Sequence, residues 1–198
     1  MSGRGGAPRR PRPARAGTSR GYTLIEVVFA AGLVAVLAAA AIPQLTAGVE
    51  RGRTVGAARY LASRLALARA QAVARSSNVA LLFSAADGTF IVGTYVDNNA
   101  DGVRTRDIAA GIDTPIDVPV RLSNLFPHVA LFLNDPAVTS TFDSSALMSF
   151  SPLGTASSRT LYLRGADRSE YAVRVLGATG RTRVLRLVAS SGAWVEVL

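Results

Sequence analysis

The sequence predicts an α+β fold in which a long N-terminal helix, transmembrane and then amphipathic, packs on a C-terminal antiparallel β-sheet domain. Three observations lead there. Residues Val27 to Ile42 carry no charged or polar side chain. A helical repeat of apolar positions continues beyond them, and short alternating runs set apart by turn signals fill the rest of the chain. The 198 residues suit one domain with an appended segment. Their apolar excess, 49% hydrophobic at a mean hydropathy of +0.28, is concentrated between Val27 and Leu45.

Residues 1–20 are rich in Arg, Gly, Pro and Ala, a composition that buries too little surface to offset its ordering entropy, so disorder is expected. Arg4, Arg9, Arg10, Arg12, Arg15 and Arg20 fall here with no acidic residue among them. The net charge of +9 less those six leaves +3. The basic balance therefore belongs mainly to the leader and argues little for nucleic-acid binding by the remainder.

The apolar helix follows. About 20 such residues span roughly 30 Å, enough to cross a hydrocarbon core. Arginines before the span and few basic residues just after it place the N-terminus in the cytoplasm. Pro43 removes a backbone donor and is expected to kink or locally break the helix. Periodicity resumes through Leu45, Val49, Ala58, Leu61, Leu65, Ala68 and Ala72, with Arg53, Arg59, Arg64, Arg69 and Arg75 largely on the other side. A single helix from about Tyr22 to Ser76 would reach roughly 80 Å. Its second half needs a packing partner.

Strand-like runs at 79–83, 89–96, 129–133, 147–151, 160–164, 171–176, 182–188 and 193–198 supply that partner. Asp87-Gly88, Asp101-Gly102, Gly165-Ala166 and the stretch from Gly177 to Gly180 separate them. Residues 97–120 read as a polar surface loop.

The junction Arg20-Gly21-Tyr22-Thr23-Leu24-Ile25-Glu26 carries the most chemistry. A glutamate at the mouth of an apolar span costs about 3 kcal/mol at the bilayer centre and less near the interface. It needs a partner. A cut between Gly21 and Tyr22 would create an α-ammonium one helical turn from Glu26, able to neutralise it on the same or a neighbouring helix. Gly21 offers a peptidase an unobstructed backbone. Two plainer readings compete: an uncleaved signal anchor with Glu26 among the headgroups, and a secretory signal peptide cut within the alanine run 38–41. The second leaves both Glu26 and the amphipathic continuation without a purpose. The first does not explain the joint spacing of Gly21, Tyr22, Glu26 and Pro43.

With Gly21-Tyr22-Thr23-Leu24-Ile25-Glu26-Val27-Val28, and Pro43 twenty-two residues into the cut chain, the sequence resembles type IV prepilins and type II secretion pseudopilins. The resemblance implies a prepilin peptidase that cuts after Gly21 and methylates Tyr22, which stands where the family most often has Phe. It also implies that Glu26 is needed for assembly. The segment from Ala68 to Val79 and the block Phe150-Ser151-Pro152-Leu153-Gly154-Thr155 resemble GspH/FimT minor pilins, whose members carry a β-sheet domain on a long helix. On this basis residues 1–21 are a removed leader and 22–45 a transmembrane assembly helix. Residues 46–77 are its amphipathic continuation, and 78–198 a β-rich periplasmic domain. The expected product is a filament subunit of the bacterial inner membrane, with the prepilin peptidase and major and minor pseudopilins or pilins as partners.

Further motifs are weighed individually. Gly180-Arg181-Thr182-Arg183 resembles the G-R-x-R element of FimT-type pilins that bind DNA. Arg181 and Arg183 alternate on a strand and would share a face suited to successive phosphates, with Arg159, Arg164, Arg168, Arg174 and Arg186 near in sequence. A turn glycine followed by solvated strand residues is the preferred reading, since few aromatics interleave for stacking, and DNA is the alternative partner. Asp97, Asn99 and Asp101 with Gly102 match the first half of a calcium loop. The closing bidentate acid is missing, because Ile stands at 108, so a polar turn is preferred and no metal is assigned. His128 is the single histidine and there is no cysteine, which removes thiolate metal sites, redox dithiols and a cysteine nucleophile. His128 reads as a strand-edge residue. Ser144-Ser145 and Ser157-Ser158 have no general base in view, so neither catalysis nor a cofactor is expected.

Overall fold

The computed structural model describes residues 21–134 and 145–197. The arginine-rich stretch 1–20, Ser144 and Leu198 lie outside the described residues. In chain order the elements are α1 (Leu24–Arg75), β1 (Val79–Ala86), β2 (Thr89–Val96), α2 (Thr105–Ala109), β3 (Thr114–Pro115), β4 (Val120–Arg121), α3 (Leu122–Leu125), β5 (Ala130–Phe132), β6 (Ala146–Phe150), β7 (Arg159–Arg164), β8 (Glu170–Leu176), β9 (Arg181–Val188) and β10 (Ala193–Glu196). The α+β class is as the sequence predicts. Helical conformation runs through Pro43 without the local break expected there.

The chain divides into two compact units at Ile42/Pro43. The first contains the start of α1. Leu24, Ile25, Val28, Phe29, Leu33, Val34 and Leu37 are all exposed, so among the described residues this part of the helix has an uncovered apolar surface.

The second unit holds the core. One face of α1 buries Ala57, Ala58, Leu61, Leu65, Ala68 and Ala72, spaced at three and four residues as a helical stripe must be. The helix ends at Ser76, whose φ is 52°. There the Ser77 N–H donates to Ala72 O and the Ser76 N–H to Val73 O, the paired bonds of a Schellman closure. The chain turns directly into β1.

Among the described residues, two antiparallel sheets of five strands each pack on that stripe. The first runs β3-β2-β1-β6, with β4 also on β2, and the second β10-β9-β8-β7-β5. From the first come Val79, Leu81, Phe83, Val92, Met148 and Phe150; from the second Leu131, Leu161, Leu163, Val173, Val175 and Val184. Each fully buried Leu or Phe contributes about 2–3 kcal/mol. The β1–β2 hairpin closes at Asp87-Gly88, both with positive φ, as a two-residue type I′ turn demands.

The stretch 97–120 is a correction to the sequence reading. It contains α2 and β3 and buries Asp97, Asp107 and Asp113 with Val103. Its polarity reflects carboxylates that tie down the loop's own backbone. Arg64 and Arg53 also depart from a solvated face: Arg64 reaches Asp117 and the Thr94 hydroxyl, and Arg53 pairs with Glu50. His128 lies outside any strand, at φ 64°, with Nδ1 3.4 Å from Glu50 Oε1.

Candidate functional site

Gly21, Tyr22 and Thr23 precede the first helical residue and are exposed, so the Gly21–Tyr22 bond lies on open backbone outside the helix. A Cβ at Gly21 would meet no atom within 4 Å. Thr23 is the helix cap: the Glu26 N–H donates to Thr23 O at 3.1 Å and to its Oγ1 at 3.4 Å. Glu26 thus sits at the third position of the helix, in the Thr-x-x-Glu spacing of a capping box, where the helix dipole also favours a negative charge. Sequence reasoning missed Thr23, although the spacing was there to read. An 18-residue window of α1 has a mean hydropathy of 2.5 and is 0% buried, long and apolar enough to cross a membrane.

The Arg181 and Arg183 element opens β9, just after the turn from Gly177 to Gly180. Gly180 has φ 60°, and a Cβ there would strike Gly154 O and come within 2.8 Å of Arg69 Cδ. This glycine is a packing requirement. The two arginines then part company. Arg183 pairs with Glu196 of β10 (Nη1 to Oε2 3.2 Å) and lies opposite Arg174, whose Nε donates to Thr160 Oγ1. Arg181 is exposed and, with Arg59 and Arg69 of α1, lines an open groove. Of the other nearby arginines, Arg164 pairs with Glu170 and lies over the Phe132 ring at 5.5 Å. Arg168 and Arg186 border a separate hollow, while Arg159 is exposed beside Tyr162 at another. Tyr162 and Trp194 of the second sheet also meet edge to face at 5.7 Å.

Asp97 stands at the head of the 97–113 loop. Its Oδ1 accepts from the N–H of Asn99 and Ala100, and its Oδ2 from the Gly102 N–H and the Asn78 amide. Burial alone would raise its pKa, but the Asn78, Gly102, Ala100 and Asn99 donors outweigh that and hold the carboxyl below its ordinary range. Asp101 pairs with Arg104 and Arg106 instead, and Asn99 Oδ1 accepts from the Asp101 N–H. The three residues of the calcium pattern thus spend their oxygens on donors and arginines. Asp113 completes the loop by accepting from Asn98 and Arg104 backbone N–H groups. Ser157 and Ser158 accept backbone bonds at the turn edge.

A comparison with family models matches residues 57–180 to the family described as type II transport protein GspH. No curated protein matches, and no solved structure does. The matched span begins after the leader junction, Glu26 and Pro43 and stops just before Arg181. It therefore rests on the β-domain and the helix beneath it, independently of the membrane motif. Over well more than half its length, the chain belongs to the GspH family of type II transport proteins.

Proposed function

We propose that the chain is a GspH-like minor pseudopilin of a type II protein secretion system, a structural subunit of a pilus-like filament. Family membership supports a pseudopilin role in association with other pseudopilins. The observation that carries the assembly mechanism is the uncovered apolar helix with one carboxylate, Glu26, in its first turn. In the bilayer that surface meets lipid; in a filament it meets like helices, where a lone carboxylate is costly unless an ammonium joins it. A prepilin peptidase would cut between Gly21 and Tyr22 and methylate Tyr22, removing the basic leader and creating that ammonium. The leader arginines orient the chain with its N-terminus in the cytoplasm and residues 78–198 in the periplasm. Pro43 leaves one helical acceptor without its donor, giving the helix a place to bend as the subunit moves from bilayer to filament.

In this reading Glu26→Ala remains membrane-inserted and processed but enters filaments poorly, measured by co-purification with the major pseudopilin after crosslinking. Normal incorporation would defeat the mechanism. Mass spectrometry of protein from its native host should find Tyr22 first, one methyl group heavier than the bare residue. The FimT-like alternative, a type IV pilus subunit capturing DNA, relies on Arg181 and Arg183 acting together, and the Arg183–Glu196 pair weakens that basis.

A further inference from the structure

Arg59 and Arg69 on α1 and Arg181 at the start of β9 line one side of the β-domain around an open groove of about 390 Å³. Its floor is Ala62, Ala66 and Val184, and no acidic residue lines it. Among the described residues none of the three arginines has a carboxylate partner, whereas Arg53, Arg64, Arg164 and Arg183 all do. Arg69 is held in place: its Nε donates to Gly154 O at 3.1 Å, and Gly154 and Gly180, both with positive φ, leave the room its side chain occupies. Thr182 stands beside Arg181 in the groove wall. Pairing along this edge of β9 stops at Val184, whose carbonyl accepts from the Val197 N–H, so Arg181 and Thr182 also present an unpaired strand edge among the described residues.

We propose that this groove takes an extended acidic segment of a partner protein, with its carboxylates on Arg59, Arg69 and Arg181. Arg59 and Arg69 are ten residues apart on a helix, roughly 15 Å along its axis, the reach of about five extended residues. A strand laid there adds main-chain bonds to the open edge of β9. It places small apolar side chains on the alanine floor and sets guanidinium–carboxylate pairs at both ends. A phosphodiester strand would satisfy the arginines and leave the apolar floor and strand edge unused. The inference goes beyond the filament role and does not depend on leader processing.

The test uses the full chain in detergent micelles and fluorescence anisotropy of a labelled peptide alternating valine and glutamate. Its counterpart with glutamine for glutamate and a single-stranded oligonucleotide of equal charge are run alongside. The acidic peptide should bind at low salt at least tenfold more tightly than the neutral one. Arg59→Gln combined with Arg181→Gln, both exposed and outside the core, should weaken it at least tenfold with an unchanged denaturation midpoint. Arg183→Gln should leave it within about twofold. Absence of peptide binding, equal binding of the neutral peptide, or full affinity in the double variant would overturn the proposal. So would tighter binding of the oligonucleotide that displaces the peptide, which would assign the groove to phosphates.

Discussion

Gly180 shows how a residue that looks functional by motif can be explained by space. Its φ of 60° and the crowding by Gly154 O and Arg69 leave no room for a methyl group. Gly180→Ala should destabilise the β-domain by roughly 2–4 kcal/mol, combining left-handed strain with overpacking, visible as a lower urea midpoint. Asp97 couples the stability of the fold to pH. Its pKa is lowered from 3.8 on folding. Its ionised form therefore stabilises the fold fully above that unfolded value, and the contribution fades as pH falls through the folded one. Asp167 titrates in the same direction: burial opposes, and Ser169 and Arg51 prevail. Unfolding titrations should accordingly show stability falling below about pH 4. Asp97→Asn should cost about 1–3 kcal/mol at neutral pH and flatten, without abolishing, the acid loss.

At the scale of elements, α1 is one helix solving two problems. Its first part is apolar all round, and no face of it is distinguished by burial. Its last part is a stripe of Leu and Ala under two sheets, where alanines let the strands come close and leucines fill the gaps. Leu65→Ala should cost roughly 2–5 kcal/mol by opening a cavity among residues that cannot collapse onto it. Leu67 is 48% exposed two positions away, and Leu67→Ala should change stability by no more than about 0.5 kcal/mol. Equal losses from the two would show that the stripe is misplaced.

For the molecule as a whole, the core among the described residues runs from Ala57 to Val184, within the unit Pro43–Leu198. A fragment of residues 43–198 should therefore fold alone as a soluble domain. Its near-ultraviolet circular dichroism and cooperative thermal unfolding would check this. Loss of either would mean that the membrane segment contributes to the fold. This separation suits a subunit whose helix changes surroundings while its displayed domain stays intact.

What the sequence determined by itself is what local pattern encodes. A run of apolar residues, a period of three to four, and turn pairs such as Asp87-Gly88 depend only on neighbours in the chain. The long helix and the main strands were therefore legible to within a few residues. The tertiary structure alone decided features that join distant residues. The strands divide into two sheets, the 97–113 carboxylates turn inward on backbone donors, and Glu196 takes Arg183 out of a pair that looked equivalent by spacing. Arg69 meets Gly154 across 85 positions of sequence. Such meetings are set by how the sheets pack on one helical stripe, and no periodicity along the chain records them.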